Sequence, residues 1–153
     1  MKSKQFLLLI FFCLFIVCIL SAEGVKIPQP VGFVNDFAGI LQEDVRNKIN
    51  DWAIELREKG GVDFTIATFK EIGTTDEVAF GVKLYETWKI GSKRDEGVLV
   101  LLAVKERKLR IEVGYGSEGY LTDTYCNMVY QEMRSFLSKG SEDWNQAFIQ
   151  GSL

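Results

Sequence analysis

Histidine is absent from all 153 residues, and its absence excludes a large part of known catalytic chemistry. Without an imidazole there can be no Ser-His-Asp triad, no Cys-His pair and no histidine-ligated metal. Catalysis would have to use carboxylates, hydroxyls, cations or a metal held by oxygen. A basic excess is missing too, since 18 Lys and Arg stand against 21 Asp and Glu. We therefore expect no nucleic-acid partner, because binding to phosphates needs a basic face.

Cysteine and proline are both scarce. Two of the three cysteines, Cys13 and Cys18, lie in an apolar N-terminal run, which leaves Cys126 alone in the rest of the chain. An internal disulfide is therefore not expected, and Cys126 is interpreted as a small apolar residue on a helix face. Both prolines, Pro28 and Pro30, fall in residues 23–30, which are interpreted as a linker.

The N-terminal apolar run predicts an export signal. Lys2 and Lys4 precede residues 6–20, which carry no charge. As a helix this run would span roughly 22 Å, less than the ~30 Å hydrocarbon core of a bilayer. Residues 1–22 are therefore interpreted as a signal peptide, with an uncleaved anchor as the alternative. On either interpretation the remaining chain is expected to be exported to a secreted, periplasmic or lumenal setting, and the uncleaved anchor would hold it at a membrane.

Hydrophobic periodicity predicts the secondary structure of this remaining chain. Apolar residues spaced by three and four predict a first helix, and Thr74 followed by Glu77 resembles a capping box at the start of a second. Alternating or continuous apolar runs predict strands, of which the last two form an antiparallel hairpin. In chain order the elements are helix 42–59, strand 62–69, helix 74–89, strands 98–104 and 109–113, a third helix ending near Gly140 and a short helix from Ser141.

This order of elements predicts an α/β fold. We expect a three-layer α/β/α sandwich in which about four helices flank a small mixed sheet. The helix at 74–89 would connect strand 62–69 to a parallel strand at 98–104, and the hairpin 98–104/109–113 would add an antiparallel edge.

Acidic residues converge at one end of the predicted hairpin. The loop before its first strand carries Asp95 and Glu96, and the loop after its second strand carries Glu118 and Asp123. Because the hairpin strands are antiparallel, both loops emerge at the same end of the sheet. Oxygen ligands of this kind suit Ca²⁺ or Mg²⁺, and the third helix begins here with free N–H groups that attract anions. The alternative is that each acid serves only as a helix cap or a solvated side chain.

Glycines crowd the loop after the hairpin. Gly114, Gly116 and Gly119 resemble half of a dinucleotide-binding fingerprint, but they follow an antiparallel strand. We therefore interpret them as a turn that requires positive φ, and not as a phosphate cradle.

Three blocks of the sequence resemble the TPM domain family. They are VNDFAGIL at 34–41, WKIG at 88–91 followed by DEGVLVLL at 95–102, and RIEVGYGSEGYLTD at 110–123. The resemblance covers about residues 31–150 and implies an α/β sandwich that faces away from the cytoplasm. The family's name joins a thylakoid-lumen acid phosphatase, a photosystem II repair protein and an auxiliary subunit of an acetylcholine receptor.

The resemblance also implies a set of acidic site residues. Asp36, Asp95 and Asp123 match the family's acidic positions, together with Glu118 in the Gly-x-Gly-x-Glu block. Glu96 departs from the pattern, because many members have Asn there. A second departure is at the C-terminus, where many relatives continue into a transmembrane helix and this sequence stops at Leu153. A truncated or unusually short member is therefore expected.

Two functions fit these observations. In the first, a monomeric exported domain binds a divalent cation, Ca²⁺ or Mg²⁺, through Asp36, Asp95, Glu118 and Asp123, and serves as a binding, assembly or quality-control module for a membrane protein complex. In the second, the domain is an acid phosphatase for phosphomonoesters, in which the cation activates water. Asp95 and Asp123 are the candidate catalytic residues of that enzyme.

Overall fold

The computed structural model describes residues 25–92, 94–137 and 142–153. The predicted signal segment at 1–22 lies outside the described residues. These described residues form four strands and four α-helices, with a 3₁₀ turn at Tyr115–Ser117. They are β1 (Val34–Asp36), α1 (Glu43–Gly60), β2 (Asp63–Phe69), α2 (Glu77–Trp88), β3 (Gly97–Ala103), β4 (Lys108–Val113), α3 (Asp123–Phe136) and α4 (Trp144–Gly151).

The four strands form one mixed, open sheet in the order β1-β2-β3-β4. β1, β2 and β3 are parallel, and β4 pairs with β3 as an antiparallel hairpin. Every residue of β3 is buried, as its unbroken apolar sequence predicts for a central strand. The predicted α/β class, the mixed sheet and the hairpin are confirmed.

Two apolar cores cover the two faces of the sheet and give the expected three layers. On one face, helices α1, α3 and α4 contribute Val45, Ile49, Met133 and Phe148, which pack on side chains of β2, β3 and β4. On the other face, α2 alone contributes Phe80 and Leu84 to the buried cluster. The sheet therefore has three helices on one side and one on the other, and this asymmetry leaves parts of β4 less covered.

The sequence prediction missed β1. This strand has only three residues, too few to show an alternation, and the buried residue at its centre is the polar Asn35. The Asn35 Nδ2 donates to the carbonyl oxygens of Gly32 (2.9 Å) and Ile66 (3.2 Å), while its Oδ1 accepts from the Val31 N–H (2.7 Å). These three bonds satisfy a side chain that composition alone would place on the surface.

The predicted capping box of the second helix is wrong. The N-cap of α2 is Asp76, whose Oδ1 accepts from the N–H groups of Val78 (3.0 Å) and Ala79 (3.2 Å). Asp is as good an N-cap as Thr, and its position two residues later starts the helix at Glu77. The end of α1 is as predicted, because Gly61 closes the helix with a φ of 75°.

Residues 25–30, the described part of the predicted linker, pack on the domain. Val25 and Ile27 pack against the core on the α2 face, and the Trp88 Nε1 donates to the Pro28 carbonyl oxygen at 2.8 Å. Among the helices that the structure describes, none combines the length and apolar character needed to cross a lipid bilayer.

Candidate functional site

Asp36, the first of the four predicted site acids, serves as a structural hub. Its carboxylate accepts hydrogen bonds from the backbone N–H groups of Gly39 (3.1 Å), Ile40 (3.2 Å) and Leu41 (3.0 Å). The hydroxyl of the buried Thr68 donates to the same carboxylate. These bonds fix the turn between β1 and α1, so the oxygens of Asp36 are already engaged by groups of the protein.

The expectation that Asp36 joins the other three acids is wrong. In the sheet register Asp36 pairs with Thr68, and Thr68 pairs with Leu102 near the C-terminal end of β3. Asp95 precedes β3 at its N-terminal end, which begins at Gly97. Five residues separate Gly97 from Leu102, or roughly 16 Å along the strand. Asp36 therefore lies at the opposite end of the sheet.

Asp95 organises the loop at the hairpin end. One of its carboxylate oxygens accepts from the Tyr85 hydroxyl (3.2 Å) and the other from the Tyr115 backbone N–H (3.0 Å). Its own carbonyl oxygen accepts from the Gly116 N–H at 3.0 Å, and its φ is 55°. Burial, and then the neighbouring Asp95 charge, raise the pKa of the Tyr85 phenol above its usual range. Tyr85 therefore stays protonated and donates to Asp95.

Close approach requires glycine at positions 114 and 116, and the prediction of positive φ is wrong for all three glycines of this loop. Gly114 has a φ of −71°, and a Cβ placed there would lie 2.2 Å from the Asp95 carbonyl oxygen and 2.2 Å from the Tyr85 hydroxyl. A Cβ at Gly116 would lie 2.3 Å from the Arg94 carbonyl oxygen. The two loops at this end of the hairpin thus touch backbone to backbone, which makes their relative position rigid.

Glu118 and Asp123 are brought together on the wall of a surface groove. The groove has a volume of about 510 Å³ and runs along β4 between α2 and the first turns of α3. Thr122 caps α3 by accepting from the Tyr125 N–H at 3.3 Å. The lining residues are Glu77, Val78, Leu109, Arg110, Ile111, Glu112, Val113, Glu118, Leu121, Asp123, Cys126, Asn127 and Tyr130.

The four acids do not fit a single divalent-cation site. Asp36 lies at the far end of the sheet, and both carboxylate oxygens of Asp95 accept hydrogen bonds from the protein. Across residues 25–92, 94–137 and 142–153, no group of three or more carboxylate or thiol side chains is placed to hold a metal ion. Binding of a divalent cation, Ca²⁺ or Mg²⁺, stays a prediction.

Two tyrosines that sequence reasoning did not select lie on the loop that carries Glu118. Tyr115 has 82 % of its surface exposed and Tyr120 has 54 %. The Tyr120 hydroxyl lies 3.1 Å from the hydroxyl of the buried Ser117, which ties the ring to the 3₁₀ turn. Exposed tyrosines on an ordered loop are frequent in protein interfaces. Aromatic residues next to glycines in the block 114–120 were the signal that could have identified them.

Comparison with known proteins assigns the family. The family model described as TPM domain matches residues 34–153, well over half of the chain. The chain belongs to the TPM domain family. No curated protein matched the chain.

Two solved structures resemble the fold of this TPM domain. The first is the N-terminal domain of a protein from P. gingivalis, determined by solution NMR, with a TM-score of 0.72 and 25% identity; the match covers 84% of this chain and 88% of that one. The second is the N-terminal domain of a protein from Corynebacterium glutamicum, with a TM-score of 0.61 and 15% identity, covering 86% and 80%. The second likeness concerns the fold alone.

Proposed function

We propose that this chain is an exported TPM domain that acts as a binding module for an extracytoplasmic part of a membrane protein complex. The observation that carries the proposal is the surface at the hairpin end, which we call the tyrosine-acid surface and define as Tyr115, Glu118, Tyr120 and Asp123. It combines two exposed aromatic rings with two exposed carboxylates.

The rigidity of the loop supports a binding role. The backbone contacts at Gly114 and Gly116 and the two hydrogen bonds of Asp95 hold the tyrosine-acid surface in place before any partner arrives. A preorganised surface loses less conformational freedom on binding, so more of the contact energy is available for affinity. Tyrosine adds contact area at a small entropic cost because it has only two rotatable bonds.

The acid phosphatase alternative has less support. The enzyme predicted from the sequence requires Asp36, Asp95 and Asp123 around one cation. The sheet places Asp36 at the end opposite to Asp95 and Asp123. In addition, the Asp95 carboxylate is occupied in holding Tyr85 and the Tyr115 backbone. An unperturbed carboxylate also titrates near pH 4, which suits proton transfer only in acidic surroundings.

Site-specific crosslinking in the native cell tests the binding role. A photoreactive residue at position 120 should yield crosslinks to a membrane or extracytoplasmic protein, and one at Ile54, on the exposed side of α1, should not. Equal crosslinking from both positions would contradict the proposal. Phosphate release from p-nitrophenyl phosphate at pH 4 to 7, with and without Ca²⁺ or Mg²⁺, tests the alternative. Activity lost in both Asp95→Asn and Asp123→Asn, with folding retained, would establish the enzyme instead.

Export has its own test. N-terminal sequencing of the chain recovered from outside the cytoplasm should begin near residue 23, because a signal peptide is removed on export. Recovery of the unprocessed chain in the cytoplasm would contradict export, and recovery of the unprocessed chain in the membrane fraction would support the anchor.

A further inference from the structure

The open edge of β4 presents unpaired backbone groups. The Gly114 N–H donates to the Gly97 carbonyl oxygen at 2.9 Å, which fixes the phase of the antiparallel ladder. Hydrogen bonding alternates along such a ladder, so Arg110 and Glu112 direct their backbone groups toward β3. Leu109, Ile111 and Val113 therefore direct their N–H and C=O groups to the open edge. Within the described part of the chain, no other segment pairs with these outward groups.

The groove along this edge has two walls. The Arg110 and Glu112 side chains lie on the α2 face, where a Cβ on Gly81 would be 3.2 Å from the Glu112 Oε1. Leu109 and Ile111 face the opposite side and pack on the core beneath α3. Residues of α2 and α3 both line the groove, so an extended chain lying on β4 would be flanked above and below.

The charge of the groove favours a basic occupant. Its lining includes four acids, Glu77, Glu112, Glu118 and Asp123, and a single cation, Arg110. Arg110 is already paired with Glu112 at 2.7 Å, and Lys108 at the end of the strand is paired with Glu77 at 2.8 Å. Among the described residues Glu118 and Asp123 have no ion pair. An added strand would therefore place its own Lys or Arg side chains beside uncompensated carboxylates.

Other occupants fit less well. A second copy of the domain, paired edge to edge, would bring two acidic grooves together, and like charges across such a pair are unfavourable. The other edge of the sheet is β1, which has three residues against six in β4 and offers a shorter template.

We propose that the open edge of β4 binds an extended, lysine- or arginine-bearing segment of a partner protein as a fifth strand of the sheet. The main chain of the segment would pair with Leu109, Ile111 and Val113, and its basic side chains would contact Glu118 and Asp123. This inference rests on the proposed binding function and specifies how the partner is held.

The test uses a synthetic peptide of alternating lysine and valine, about seven residues long and blocked at both ends. Amide hydrogen exchange of the domain is followed by NMR with and without the peptide. The peptide should slow exchange at the amides of Leu109, Ile111 and Val113 and leave those of α1 unchanged. Slowed exchange at other amides, none at all, or equal binding of the glutamate-valine counterpart would overturn the proposal.

Two variants separate the charge from the main-chain pairing. The double substitution Glu118→Gln/Asp123→Asn should weaken peptide binding about tenfold. The control Glu132→Gln, which changes an exposed acid of α3 outside the groove, should not weaken it. Val113→Pro removes an outward N–H while the ladder donors remain, and should also weaken binding relative to Val113→Ala. If Val113→Pro fails to fold, the double variant Glu118→Gln/Asp123→Asn still tests the proposal, because both substituted acids are exposed and their replacement should not disturb folding.

Failure of this inference is distinguishable from failure of the binding function. If the free domain sediments as a dimer with its outward β4 amides already protected, a second copy occupies the edge and the inference is wrong. If the peptide does not bind while crosslinks from position 120 persist, the edge inference is wrong and the binding function stands. If crosslinks are absent as well, both fail.

Discussion

Two acidic loops, at opposite ends of the same sheet, use their carboxylates in different ways. At the end where β1 stops, Asp36 accepts from three backbone N–H groups and from Thr68. At the hairpin end, Asp95 holds the loop, while Glu118 and Asp123 are exposed on the wall of a groove. Both loops belong to blocks that resemble the TPM domain, so a shared family pattern can contain an architectural acid in one place and surface acids in another.

Removing the Asp36 carboxylate should have the largest effect on stability. Asp36→Ala leaves three N–H donors and a buried hydroxyl without their acceptor, and we expect a loss of about 4 kcal/mol in the free energy of unfolding. Asp123→Ala, in the exposed first turn of α3, is the matched change at the other end and should cost less than about 1 kcal/mol. Urea unfolding of the two variants measures the difference. Equal losses would remove the distinction between the loops.

Adding a methyl group at the hairpin end should have the next largest effect. A Cβ at position 114 meets the Asp95 carbonyl oxygen at 2.2 Å, so Gly114→Ala should destabilise the domain by about 3 kcal/mol. The matched control is Gly119→Ala, where nothing lies within 4 Å. A Gly114→Ala domain as stable as its control would show that the two loops do not touch as described.

Removing the Tyr85 hydroxyl, which donates to Asp95, should have a smaller effect on stability. Tyr85→Phe keeps the ring and removes the donor to the Asp95 carboxylate, and we expect a loss of about 1 kcal/mol in the free energy of unfolding. Crosslinking from position 120 should fall along with it, because the loop is less firmly held. Unchanged stability, with unchanged crosslinking, would mean that Asp95 is positioned by the Tyr115 N–H alone.

Substituting Glu77, on the α2 side of the groove, should have the smallest effect on stability, and this effect should depend on pH. The hydrogen bond from Lys108 lowers the pKa of Glu77 from its usual 4.5. A carboxyl with a lowered folded-state pKa stabilises the protein above pH 4.5 and loses this contribution as the pH falls through the folded-state pKa. The stability advantage of wild type over Glu77→Gln should therefore be present at pH 7, disappear below the folded-state pKa and decrease in salt. A difference that grows in acid would contradict this pairing.

Most of the fold could be predicted because its elements have strong local patterns. The long helix α1, the alternating strand β2 and the continuous apolar run of β3 each carry their own signal. β1 could not be predicted in this way, because it is short and its buried Asn35 is satisfied only by bonds to Gly32, Ile66 and Val31.

The candidate site was harder to predict than the fold. That Asp95, Glu118 and Asp123 lie at the hairpin end followed from strand direction alone. The role of Asp36 depends on Thr68, a residue 32 positions later, and no local pattern reports that contact. The close approach at Gly114 is equally non-local, because the atoms it would meet belong to Asp95 and Tyr85.

The most direct test of the account is crosslinking from position 120 in the double variant Glu118→Gln/Asp123→Asn, compared with the unsubstituted domain. If these exposed acids serve a partner and not the fold, the yield should fall at least about fivefold while the urea midpoint is unchanged. An unchanged yield in the folded variant would contradict the central claim, because the acids at the hairpin end would then have no part in binding.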